Sequence, residues 1–256
     1  MRAAGLGDPE DYTDESLFEG DLVCRQSRRG YRFSVDAALL AHFVVANPGD
    51  RVLELGAGCG IVSLVFAYRQ PFVTVDAIEI QPQLCALARH NMVANGYGKR
   101  VRVLHGDVRQ IASHVSADTF DLVLANPPYR QSQHGRLCPC PERAVARHQL
   151  RGGLPSFVRA AFFALSDHGR AAFVYPATHE EELLTALEAS DFGARRLRAV
   201  YGYPGGGRRL VLVEAVKKGK APLAREPSLY ITTQAGGGYT EEVAAFYRPR
   251  PAINLS

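Results

Sequence analysis

The sequence predicts an α/β fold, a doubly wound and mostly parallel sheet with an antiparallel hairpin at one edge and a short N-terminal extension. Three observations predict it. From position 51 onward, short apolar runs alternate with stretches of helical periodicity, the pattern of strands joined by crossover helices. The first of these runs, Arg51-Val52-Leu53-Glu54-Leu55, opens into the glycine loop Gly56-Ala57-Gly58-Cys59-Gly60. The fourth, ending Leu124-Ala125, stops at Asn126-Pro127-Pro128-Tyr129.

In chain order, residues 1–16 are polar and contain glycine, and read as a loose terminus. Residues 17–26 read as a short hairpin, after which Arg25, Arg28, Arg29 and Arg32 crowd around Gly30. Phe33-Ser34-Val35-Asp36 carries a helix-capping signal, and the helix continues to Phe43. Pro48-Gly49-Asp50 is a turn. Strands are then predicted over 51–55, 72–79, 101–105, 120–125, 169–175, 195–201 and 208–216, a seven-stranded sheet. Helices are predicted over 61–67, 82–95, 154–165 and 179–189, with Pro82 in a first turn. The last two strands are joined through Pro204-Gly205-Gly206-Gly207, a link short enough for an antiparallel edge hairpin.

A chain of 256 residues suits one large α/β domain, here divided into an N-terminal segment, 1–47, and a main domain, 48–256. A hydrophobic fraction of 46% and a charged fraction of 22% are ordinary for a globular protein. No apolar run is long enough to span a membrane, and the start lacks the apolar core of a signal peptide, so a cytoplasmic protein is expected. Five scattered cysteines argue against a disulfide framework. A net charge of +4 is compatible with nucleic acid, and most of the basic residues are Arg, which forks onto phosphates and stacks on bases.

The chemistry is read at the carboxyl ends of the strands, where doubly wound sheets bind ligands. The glycine loop has Ile61 where a dinucleotide fingerprint has its third glycine, which weakens a nicotinamide reading. Acids end three successive core elements: Glu54 beside the loop, Glu79 after the second strand and Asp107 after the third. That spacing suits a nucleoside. Glu79 can take both ribose hydroxyls, Asp107 an adenine amine, and Glu54 lies near an ammonium or sulfonium charge. Any one such acid is ordinarily a helix cap or a solvated side chain; three at matching places point to a ligand. Two prolines after Asn126 cannot continue a sheet, so they hold an extended turn whose carbonyls, with the Asn amide oxygen, form fixed acceptors beside the Tyr129 ring. Such a set suits a flat ring bearing an exocyclic NH2.

These motifs, Val52 to Gly60, Glu79, Asp107 and Asn126 to Tyr129, together resemble the class I S-adenosylmethionine-dependent methyltransferases that act on amino groups. Gly30-Tyr31-Arg32-Phe33-Ser34-Val35-Asp36-Ala37, Ala146-Arg147-His148-Gln149 and Tyr239-Thr240-Glu241-Glu242-Val243 narrow the resemblance to the bacterial family that methylates adenine N6 in a valine tRNA. The resemblance implies a Rossmann-like methyltransferase domain, S-adenosylmethionine as cofactor with S-adenosylhomocysteine as product, and a tRNA substrate modified in the anticodon loop. It implies Phe33, Ser34 and Asp36 as the segment closing over the cofactor. Glu54, Gly56, Ala57, Gly58, Gly60, Glu79, Ile80, Gln81, Asp107, Val108 and Asn126 would bind it, and Asn126, Pro127, Pro128 and Tyr129 would be the catalytic set. Arg28, Arg29, Arg32, Arg130 and Arg147 are expected to contact RNA. Cys138-Pro139-Cys140, with His134 and His148, lacks a second cysteine pair, so no metal site is expected. Neither a membrane partner nor an oligomeric state is indicated. The alternatives are methylation of a glutamine amide in a protein, which also offers an NH2, methylation of guanine N2 in ribosomal RNA, and a non-catalytic RNA-binding module.

Overall fold

A computed structural model of the chain describes residues 9–29, 35–128 and 153–250. Ten strands and six α-helices are present among them. An antiparallel hairpin, β1 (Tyr12–Leu17) and β2 (Leu22–Ser27), precedes α1 (Val35–Phe43). The core alternation is β3 (Arg51–Leu55), α2 (Ile61–Arg69), β4 (Thr74–Glu79), α3 (Pro82–Ala94), β5 (Val101–His105) and β6 (Phe120–Ala125). Then follow α4 (Leu154–Ala164), β7 (Leu165–Pro176), α5 (Glu180–Glu188), β8 (Phe192–Tyr201), β9 (Arg208–Lys217), β10 (Ala224–Tyr230) and α6 (Glu241–Ala245).

The large sheet has eight strands in the order β10-β8-β9-β7-β6-β3-β4-β5, and only β9 runs against the rest. The α/β class and the parallel core are as the sequence predicts, but the count is eight, not seven. The antiparallel pair β8–β9 is not the edge, because β10 covers β8. The missed strand reads Ala224-Arg225-Glu226-Pro227-Ser228-Leu229-Tyr230. Pro227 gives no N–H to a ladder, so such a strand is confined to an edge, and the pairing indeed shifts register between Glu226 and Leu229. A second correction concerns the N-terminus: positions 12–16, read as part of a loose tail, belong to the first strand of the hairpin. Its turn places the non-glycine residues Phe18 and Glu19 at φ 54.

Two apolar layers enclose the sheet. On one face α1, α2 and α3 pack with Val52, Val75, Leu122 and Val174; on the other α4 and α5 pack with Leu53, Val123, Phe173 and Val213. α4 is the most clearly amphipathic, with Leu154, Phe157, Val158, Ala160, Ala161 and Ala164 buried, the spacing of one helical face. The hairpin is fixed to α3 by two asparagines one turn apart. Asn95 Oδ1 accepts from Val23 N and its Nδ2 donates to Val23 O, both at 2.8 Å. Asn91 repeats the pattern on Arg25, with N and O each at 2.9 Å. Two side-chain amides thus bond the free edge of β2 much as a neighbouring strand would. No helix among the described residues is long and apolar enough to cross a membrane.

Candidate active site

The chain moves outward from β3 to β4 and β5, then returns to place β6 on the other side of β3. The strand order therefore reverses between β3 and β6, which is where an open α/β sheet forms its ligand crevice. Leu55 and Ala125 are register partners at the carboxyl ends of these two strands, so Gly56 and Asn126 leave the sheet side by side.

The glycine loop is held from behind. Gly56 N and Ala57 N both donate to Ile78 O at 2.9 Å, tying it to β4. Gly56, Gly58 and Gly60 have φ of 73°, 58° and 83°. At Gly60 packing reinforces the choice: a Cβ would stand 2.9 Å from Met92 Cε and 3.0 Å from Ala88 Cβ, so a side chain there would separate α2 from α3.

Each acid expected around a nucleoside has a structural partner. Glu54 is buried, and its Oε2 accepts from Ser63 N at 2.9 Å and from Ser63 Oγ. Ser63 lies in the first turn of α2, whose N-cap position is Gly60, so Glu54 supplies the capping carboxylate that Gly60 cannot. Burial pushes the Glu54 carboxyl up to about 8, against the Ser63 bonds that lower it, and nearby Glu79 adds to the rise. Glu79 divides its two oxygens between the glycine loop, Gly58 N to Oε2 at 2.8 Å, and the start of α3, Gln81 N to Oε1 at 2.8 Å. Burial raises its pKa, and the backbone N–H groups of Gln81, Gly58 and Ile80 oppose the rise. Asp107 caps the turn that follows β5, accepting from Arg109 N at 2.9 Å, and forms an ion pair with the Arg109 guanidinium at 2.6 Å. Val108 is buried beside it, and Ile80 O lies 3.0 Å from His105 Nε2.

Asn126 contrasts with these acids. It is half-buried, Pro127 is buried and Pro128 half-buried. The Asn126 carboxamide has no hydrogen-bond partner among the described residues. Asn126 leaves the sheet at the switch point, next to the glycine loop. Tyr129, Phe33, Ser34, Arg32, Arg130 and Arg147 lie outside the described residues, as do Cys138, Cys140, His134 and His148. Asp36 is half-buried in the first turn of α1. Among the described residues no cluster of three or more His, Cys, Asp or Glu side chains could hold a metal.

The family model described as "Methyltransferase small domain" matches residues 32–142. A protein of Shewanella amazonensis is 31% identical over 219 residues, covering 86% of this chain and 91% of its own, and is named tRNA1(Val) (adenine(37)-N6)-methyltransferase. One from Tolumonas auensis with the same name is 27% identical over 221 residues, covering 86% and 90%. The chain belongs to the tRNA1(Val) adenine-N6 methyltransferase family. Solved structures agree on the fold of this methyltransferase. A protein from Agrobacterium tumefaciens described as a predicted O-methyltransferase superposes with a TM-score of 0.68 at 22% identity, over 86% of this chain and all of that one. TrmN from Thermus thermophilus gives 0.51 at 25% identity, over 71% and 48%.

The residues of the methyltransferase site fit S-adenosylmethionine. The loop backbone is open at glycines, and two buried acids, Glu54 and Glu79, stand beside it, both with pKa values raised by burial. A carboxylate offers about four acceptor sites, so Glu79 keeps capacity for hydroxyls beyond its bonds to the backbone. Sequence reasoning missed Ser63 and Asn91. Asn91 is 1% exposed, and its Nδ2 also donates to Cys59 O at 2.9 Å, so it ties the glycine loop to the hairpin. A signal was available: a lone polar residue on the buried stripe of Leu84, Leu87, Ala88 and Met92. Of the arginines expected to meet RNA, Arg28 is exposed but bonds Glu10 O at 3.0 Å and Tyr12 O at 3.2 Å, closing the base of the hairpin, and Arg29 is exposed.

Proposed function

We propose that this protein transfers a methyl group from S-adenosylmethionine to the exocyclic N6 amine of an adenine in the anticodon loop of a valine tRNA. The observation that carries the reading is Asn126: a half-buried carboxamide with no hydrogen-bond partner among the described residues, beside the glycine loop, at the reversal of strand order, in a chain of this family.

The cofactor supplies an electrophilic methyl on a sulfonium, so the chain need only bind, orient and polarise. An adenine amine is a poor nucleophile because its lone pair is delocalised into the ring. Asn126 Oδ1 and the Pro127 carbonyl, accepting the two amine hydrogens, localise that lone pair and fix its direction. Asn126 is not a base; the proton leaves to water after transfer. Tyr129 stacks on the target base, which must leave its own stack, a cheaper step in a loop than in a duplex. Glu79 would accept from the ribose hydroxyls, and a cationic cofactor beside Glu54 would favour loss of the proton that burial holds on that carboxyl. Asp107 can accept the cofactor's adenine amine only alongside its bonds to Arg109. Phe33, Ser34 and Asp36, in the N-terminal segment 1–47, would close over the cofactor. Gly56, Ala57, Gly58, Gly60, Ile80, Gln81 and Val108 would hold the cofactor, and Arg29, Arg32, Arg130 and Arg147 would meet phosphates, with Arg28 shared between RNA and hairpin. The cytoplasm, which holds the tRNA, is the compartment this reading requires.

The test is incubation with labelled S-adenosylmethionine and separate pools of tRNA, ribosomal RNA and protein, followed by nucleoside analysis. Label recovered as N6-methyladenosine in tRNA is expected. Label in a glutamine amide, or at guanine N2 of ribosomal RNA, would overturn the reading.

A further inference from the structure

The carboxyl edge of the sheet does not end at Asn126. β8 is parallel to β7, and β10 to β8, so Tyr201 and Tyr230 end their strands at the same edge as the glycine loop and Asn126. Every exposed tyrosine among the described residues lies here: Tyr203 at 37%, Tyr230 at 36% and Tyr239 at 49%. The backbone holds the three close together. Ile231 N donates to Tyr201 O and Thr232 N to Gly202 O, each at 2.9 Å, and Thr232 bridges to Tyr239.

The rings are pre-set rather than loose. Pro204 and Gly205, the latter at φ 81, make the turn from Tyr203 to Gly206, closed by Gly206 N to Tyr203 O at 2.9 Å. A Cβ at Gly206 would stand 3.1 Å from the Tyr203 ring, so the bare backbone of the turn supports it. Tyr230 leans on Tyr201 with centroids 5.4 Å apart, and Tyr239 stacks on Tyr247 at 5.4 Å and 9°. Arg209, exposed at the start of β9, makes no ion pair among the described residues, whereas neighbouring Arg208 is held by Glu180. Glu242, an acid just after Tyr239, is held by Arg198 at 2.7 Å.

We propose that Tyr203, Tyr230 and Tyr239, with Arg209, form a stacking platform for unpaired nucleotides of the tRNA loop that flank the target adenine. The proposal rests on the tRNA reading above. Strands lie about 4.8 Å apart, which puts β8 about 14 Å and β10 about 19 Å from β6, within reach of a few nucleotides of an opened loop. Exposed aromatic faces beside a free guanidinium suit bases and phosphates, and an aromatic face accepts any base. The platform therefore supplies affinity for an unpaired loop, while Asn126 selects the amine.

The chain has no tryptophan, so Tyr203→Trp introduces a single emitter on the platform. Phe72→Trp, 58% exposed ahead of β4 at the opposite edge, is the control. Adding an unmodified bacterial valine tRNA transcript is expected to quench Trp emission in Tyr203→Trp but not in Phe72→Trp. Tyr203→Ala should raise KM for the transcript about tenfold, within the range for loss of one stacked base, with kcat within twofold and cofactor affinity unchanged. Tyr203→Phe should restore the wild-type KM, which separates stacking from folding, and thermal melts check that each variant is folded. A silent Tyr203→Trp together with wild-type KM in Tyr203→Ala, while the wild type methylates the transcript, would overturn the platform and leave the tRNA reading standing. A wild type that neither binds nor methylates the transcript would overturn both.

Discussion

Asn91 offers a direct test of how the cofactor loop is held. Its carboxamide accepts from Arg25 N and donates to Arg25 O and Cys59 O, each at 2.9 Å, with Cys24 Sγ at 3.6 Å. Asn91→Leu keeps the branched shape and the number of heavy atoms and removes every bond. The carbonyl of Cys59 is then left buried and unpaired, at about 1–3 kcal/mol, and the two part-buried Arg25 bonds cost about 0.5–1.5 kcal/mol each. The sum, about 2–6 kcal/mol, corresponds to a fall in melting temperature of roughly 5–20 °C for a domain of this size. Asn95→Leu is the matched control, because Asn95 makes the same pair of bonds to Val23 at an exposed position, where water replaces them. It should lose less than about 1 kcal/mol. Denaturant titration followed by circular dichroism measures both variants, and calorimetry measures their affinity for S-adenosylmethionine. Only Asn91→Leu should weaken the cofactor, since only Asn91 reaches the glycine loop. Equal stability losses in the two variants, or wild-type cofactor affinity in Asn91→Leu, would refute the reasoning.

Other outcomes follow from the same geometry. Asn126→Ala should lose methyl transfer by far more than it weakens the cofactor in calorimetry, because its acceptor acts on the substrate amine; wild-type turnover would remove it from the catalytic role. Burial raises Glu54 from an ordinary 4.5 to about 8, so between those values the folded state holds a proton that the unfolded chain has released. Stability should therefore fall as pH rises through that window, by at most about 1.4 kcal/mol per pH unit, and Glu54→Gln should flatten the slope in denaturation series. His42, stacked on Phe246 with centroids 4.3 Å apart, is pushed by burial from 6.5 down to about 3, and the charge of Arg69 adds to the shift. The unfolded chain binds the proton that the folded one refuses, so stability should fall as pH drops below 6.5, with the same limiting slope, and His42→Phe should remove that loss.

The sequence carries the core of the fold because each core element is specified locally. Apolar runs mark the strands, Pro82 marks the start of α3, and the glycine run marks the turn after β3. β10 was hidden because nothing in Ala224 to Tyr230 favours a strand by itself; it exists through pairing with β8, a contact across more than twenty residues of chain that no local pattern records. β1 was hidden for a related reason: Tyr12-Thr13-Asp14-Glu15-Ser16-Leu17 is polar, and it is a strand because β2 pairs with it and Arg25 holds Asp14 at 2.7 Å. At the candidate site, the positions of Glu54, Glu79 and Asp107 were legible but their partners were not. A carboxylate at a strand end reads as a ligand contact, yet each of these first holds backbone: Ser63 at the head of α2, Gly58 and Gln81 around the cofactor loop, Arg109 after β5. The two uses are compatible for Glu79, because the bonds that hold it in place also fix the direction of its remaining lone pairs. A buried acid tied to the loop it serves reaches its ligand already oriented, which is the condition for a hydrogen bond to select one geometry. Asn126 follows the opposite logic. Its carboxamide makes no hydrogen bond among the described residues, which is what the proposed role requires, since an amine can bring its hydrogens only to acceptors that nothing else occupies.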